Sequence, residues 1–156
     1  MNLQRLFDYQ PMTLMTAVRT GLLGFVAGVM TWLVLIGLRD YVLTPIFCTT
    51  ATTYCQAVPM TAVVMSLIAV HFVALVVLIR LGVIRPLLIV LAVIASLWGF
   101  QVWVGAQPWW IAMVYAGLLF GLAYSLYAWL NRMLSFPIAL VVTVAVFVIA
   151  RLVVTA

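Results

Sequence analysis

Nine formal charges spread along 156 residues set the terms on which this chain can fold. The acids are Asp8 and Asp40, and the bases are Arg5, Arg19, Arg39, Arg80, Arg85, Arg132 and Arg151, with no Lys and no Glu. Between them run uncharged apolar stretches that only a lipid solvent explains. Apolar residues make up 69% of the chain and the mean hydropathy is +1.38. A soluble domain holds about half apolar residues, and nine charges could not cover the apolar surface of one this size. A bilayer removes the problem, because the outer surface then needs no polar cover. The net charge of +5 does not signal nucleic-acid binding, since the arginines are scattered rather than clustered on a face. They are topology signals, and the first partner expected is the lipid bilayer.

A membrane-crossing helix needs about 20 apolar residues to span roughly 30 Å. Five such helices are expected, forming an all-α bundle in a single membrane domain, 1–156. The first lies at about 20–38, between Arg19 and Arg39. The run 41–79 is 39 residues long, but its first part is polar and broken by Thr44, Pro45, Cys48, Thr49, Thr50, Gln56 and Pro59. An outer loop is expected at 39–57 and the second helix at about 58–79. The run 86–131 holds 46 residues. As one helix it would be about 69 Å long, so it must be a hairpin. Gln107-Pro108 marks its turn, flanked by Trp103, Trp109 and Trp110 in the manner of an interfacial belt. The third and fourth helices follow at about 86–105 and 109–130. The fifth is expected at about 133–154. Residues 1–19 read as a cytoplasmic segment, with an interfacial helix ending at Pro11, a disordered terminus and an extension of the first helix all open.

With the N-terminus in the cytoplasm, the inner segments hold Arg5, Arg19, Arg80, Arg85 and Arg132, and the outer ones hold Arg39 and Arg151. Five against two selects this orientation by the positive-inside rule, with the C-terminus periplasmic. No removable signal peptide is expected, because the first apolar run is too long for one. The short connections suit a bacterial inner membrane.

Cys48 and Cys55 then lie on the oxidising side, where a disulfide is the expected state. In a straight helix their Cα atoms would be about 10.5 Å apart, too far for a bridge, so the chain must turn between them. A redox relay is the rival reading, but six residues separate the cysteines and no second pair stands by to pass electrons on.

His71 is the one histidine, about 13 Å along its helix from Arg80 and near mid-membrane. An ionisable group at that depth is a functional candidate. Thr31, Ser96, Ser125 and Thr143 fall at comparable depths, and an intramembrane polar site formed by His71 with Ser96, Ser125 and Thr143 is one reading. A neutral imidazole hydrogen-bonded within the bundle is the plainer one. One His with no carboxylate beside it makes no metal site, and no metal or other cofactor is expected. Arg39, Asp40 and Arg151 belong at the outer interface as anchors, with an Arg151–Asp40 pair as the alternative. Small residues recur at Gly21, Gly24 and Gly28 and again at Gly117, Gly121 and Ser125. Gly24, Gly28, Gly117 and Gly121 are expected to let helix backbones approach, within one chain rather than between copies.

No phosphate loop, metalloprotease motif, nucleophile elbow or credible Ser-His-Asp triad is present, and no catalytic residue is expected. Three functions remain open. The first is a non-enzymatic accessory, regulatory or immunity-type protein acting through helix contacts with a membrane-protein partner. The second is a small oligomeric carrier or channel component lined by the His71 layer. The third is a membrane thiol–disulfide protein using Cys48 and Cys55.

Overall fold

In a computed structural model of the chain, residues 14–48, 54–83 and 85–133 are described, together with positions 141, 144, 145 and 148. The described residues are helical apart from short turns and connections, with no strand among them. Helix α1 runs Leu14–Gly37 and passes through a π-helical turn, Leu38–Leu43, into the short α2, Thr44–Phe47. Helix α3 spans Tyr54–Arg80, α4 Pro86–Ser96, α5 Phe100–Val104 and α6 Trp109–Met133. Three helical stretches are long and apolar enough to cross a membrane: Met15–Phe47, Cys55–Arg80 and Trp109–Asn131. The expected fifth helix lies outside the described residues except for Met133 and the four isolated positions, each helical. Residues 1–13, with the expected interfacial segment, also lie outside them.

The outer loop is shorter than the 39–57 expected from its Thr and Pro residues. Helix persists through Phe47 and resumes at Tyr54. Pro45 is accommodated because it opens α2 in the first turn, where its missing N–H costs nothing. The wider π turn just before it relieves the clash a Pro ring makes with the preceding turn of a regular helix. Pro59 sits exposed in the second turn of α3. The Cys48–Cys55 disulfide joins the end of α2 to the start of α3, with Cα atoms 4.9 Å apart.

At the other end, α3 stops with a Gly cap. Gly82 is left-handed at φ 66°, its N–H bonds the Ile79 carbonyl, and the Val83 N–H reaches back to Leu78. These are the paired bonds of a Schellman ending, and the accompanying apolar contact is met by Leu78 and Val83, both in the core. Arg85 is also left-handed, at φ 55°. The pyrrolidine of Pro86 disfavours the right-handed helical region for the residue before it, so the new helix begins only at Pro86.

The expected third helix, about 86–105, is in fact two pieces. At 11 residues, α4 is about 16 Å long, half a membrane core. The break falls at 97–99, where Gly99 takes φ 92°. Leu97 still bonds back to Val93, but Trp98 bonds to Ala95 and Phe100 to Leu97, so the ladder tightens and turns. Glycine takes this positive φ without the steric cost that a Cβ would bring.

The four main helices close into a ring: α1 packs on α6 and α3, and α4 packs on the same two. The α1–α6 contact is the tightest and runs antiparallel. A Cβ added at Gly24 would lie 2.8 Å from the Phe120 carbonyl oxygen, and one at Gly28 would lie 2.9 Å from the Gly117 Cα. One at Gly121 would lie 3.2 Å from the Gly21 carbonyl oxygen, while Gly117 faces the Phe25 ring. The small residues thus let the two backbones touch, which supplies the packing energy that lipid-embedded helices cannot draw from a hydrophobic effect. The ring interior is filled by large side chains, among them Leu67, Leu78, Ile89, Phe100, Phe120, Tyr124 and Tyr127. The outside is apolar too, with Leu22, Ile68, Phe72, Leu118 and Leu122 exposed, as a lipid solvent permits.

Candidate functional site

His71 projects from the middle of α3 into the centre of this ring and is 1% exposed. Two aromatic rings of α6 hold it. The Phe120 ring is tilted against it at 5.0 Å between centroids, and the Tyr124 ring lies stacked at 6.0 Å with 17° between planes. These α6 residues are four apart and share a face of that helix. Further out, Phe100 meets Phe120 edge-on at 5.3 Å and Trp32 meets Phe100 at 6.2 Å. The Trp32 indole N–H donates to the Trp109 carbonyl across the α1–α6 pair, at 3.2 Å. A continuous aromatic column therefore runs from His71 to the end of the bundle that carries the α5–α6 turn.

The His71 Nδ1 lies 3.0 Å from the Leu67 carbonyl one turn earlier. A carbonyl can only accept, so Nδ1 donates, and in the neutral ring Nε2 presents a lone pair. That Nε2 is buried with no hydrogen-bond partner among the described residues, and so is the Tyr124 hydroxyl.

Of the layer expected around His71, Ser96 is bonded elsewhere. Its hydroxyl pairs with the Tyr127 hydroxyl, tying the broken end of α4 to α6. Ser125 lies against α1, beside Gly21. Thr143 is outside the described residues. Thr31 bonds the Ala27 carbonyl at 2.7 Å and Ser66 bonds Val63 at 2.9 Å, each within its own helix. Short hydroxyl side chains in a helix interior commonly bond back this way, which satisfies them without building a site. The groups that meet His71 are Phe120 and Tyr124, which counting hydroxyl residues by depth passed over. The available signal was the α6 stripe Phe120, Tyr124, Tyr127, Asn131, where large aromatic and polar side chains share one face of an apolar helix.

Arg39 and Asp40 pair with each other at the disulfide end, at 2.7 and 3.2 Å, half-exposed. Asp40 thus has Arg39 as its partner, and Arg151 lies outside the described residues. No group of three or more His, Cys, Asp or Glu side chains among the described residues could hold a metal ion.

A second feature lies on the outside of the ring. Leu23, Val26, Ala27 and Met30 of α1 and Ala69, Val70, Val73, Ala74 and Val77 of α3 line a groove of about 320 Å³. Every lining residue is apolar. Ala27 and Ala74, both buried, form its floor, and the exposed Ala69 lies at its edge.

No protein family, curated protein or solved structure matches this chain.

Proposed function

We propose that the chain is a five-helix protein of the bacterial inner membrane, N-terminus inside and C-terminus outside, that works without catalysis through helix contacts in the bilayer. In this reading it is an accessory, regulatory or immunity-type component whose partner seats a transmembrane helix in the α1–α3 groove. The groove carries the proposal: it is wholly apolar, floored by alanines and long enough along both helices to take the side chains of about two helical turns. The arginine asymmetry supports the orientation, and the Cys48–Cys55 bridge suits an oxidising outer face. Purification in mild detergent from native membranes tests it. A stoichiometric partner lost on Ala69→Trp, with the bundle still folded, supports the reading. An unchanged lone species in both proteins contradicts it.

A carrier or channel role is the second reading, favoured by the unpartnered His71 Nε2 at the bundle centre. His71→Ala in a transport or growth assay separates the two. Loss of function in a folded variant that keeps its partner favours the carrier.

A further inference from the structure

We propose that His71 Nε2 and the Tyr124 hydroxyl form a buried binding site for one small neutral hydrogen-bonding molecule, a water. The two residues belong to different helices, α3 and α6, and their rings face each other in the ring centre. His71 is 1% exposed and Tyr124 0% exposed, yet Nε2 and the hydroxyl each lack a partner among the described residues. Inside a membrane the lipid offers no hydrogen bond, so a polar atom left alone there is costly. The bundle satisfies the neighbouring tyrosine: Tyr127, three residues further along α6, has the Ser96 hydroxyl. The Tyr124 ring lies against the imidazole and the α1 backbone at Gly24, and its hydroxyl has no such partner among the described residues.

The chemistry of the two atoms selects the ligand. The Leu67 carbonyl fixes the proton on Nδ1, so Nε2 accepts. The phenol both donates and accepts. A guest must donate to Nε2 and can accept from the phenol or donate to it, which a water does with two of its usual two to four bonds. An anion would meet the Nε2 lone pair with nothing to donate. A metal cation would find too few ligands, since the described residues hold no cluster of His, Cys, Asp or Glu. The site is separate from the α1–α3 groove, so either proposal can fail alone.

The full chain in lipid nanodiscs, with ¹⁵N-labelled histidine, supplies the test. Magnetisation transfer from water to the His71 ring, and an Nε2 shift typical of a hydrogen-bonded acceptor, are expected in the wild type and lost in Tyr124→Phe. That isosteric change should also lower the melting temperature by about 3 °C or more, because it removes a used hydroxyl. His71→Asn keeps a donor for Leu67 and removes Nε2. If the guest is shared, the double variant melts no lower than the worse single one. A Tyr124→Phe protein melting at or above wild type overturns the proposal, as does full additivity. A lowered melting temperature without water contact at Nε2 overturns it in favour of a protein partner.

Discussion

Replacing Gly28 with alanine should destabilise the bundle, while the same change at Gly37 on the same helix should not. At Gly28 the new Cβ would press on the Ala116 carbonyl and the Gly117 Cα, at 2.9 Å from the latter. These are backbone atoms of α6, so no side chain can swing aside and the helices must separate. Overpacking of this kind costs about 1–3 kcal/mol. Alanine recovers up to about 1 kcal/mol through its better helix propensity. With that gain taken in full the net loss is up to about 2 kcal/mol, or a fall of up to about 4–8 °C in melting temperature for a chain this size, and relative to Gly37→Ala the deficit is about 1–3 kcal/mol. At Gly37 nothing lies within 4 Å of the added Cβ, so only the propensity gain remains. Thermal melts of both variants in mild detergent, followed by helical circular dichroism, read the difference. If Gly28→Ala melts with or above Gly37→Ala, the α1–α6 backbone contact is not what holds these helices.

Three further outcomes follow from single contacts. Ser96→Ala strands the buried Tyr127 hydroxyl and should cost about 1–3 kcal/mol, whereas Ser96→Ala with Tyr127→Phe should return most of it, as a double-mutant cycle of melting curves would show. Cys48→Ser with Cys55→Ser opens a short loop and should lower stability by about 2.5 kcal/mol, read against alkylation that confirms the wild-type bridge is closed. Arg39→Gln should change the melting temperature by less than about 3 °C, because the pair with Asp40 is half in solvent and worth under about 1 kcal/mol.

Much of the fold is legible in the charge map alone. Long uncharged runs delimited α1, α3 and α6, and the excessive length of 86–131 required the turn that the structure has at 105–108. The cysteine spacing asked for a bend between Cys48 and Cys55, and the two are bridged. Other features depend on context that composition does not hold. Thr44 and Pro45 read as loop, but a π turn and a first-turn position make them helical. Gly99 looks like any membrane-helix glycine until its positive φ shows that it breaks the helix. At the centre, counting by depth grouped His71 with Ser96 and Ser125, whereas the rings beside it are those of Phe120 and Tyr124. The Thr31 and Ser66 hydroxyls reach carbonyls of their own helices, whereas the longer Tyr127 carries its hydroxyl across to Ser96 of α4. The meeting of His71 with Tyr124 was hidden because it depends on which faces of α3 and α6 turn inward.

In the proposed function, the α1–α3 groove is where this protein meets another helix. Photo-crosslinking in living cells tests it most directly, with the reactive group at Val73 in the groove and, as the control, at Leu122 on α6; both side chains are exposed, at 61% and 70%. A single discrete protein adduct from Val73, absent from Leu122, is the predicted result. Lipid adducts alone from both positions would contradict it.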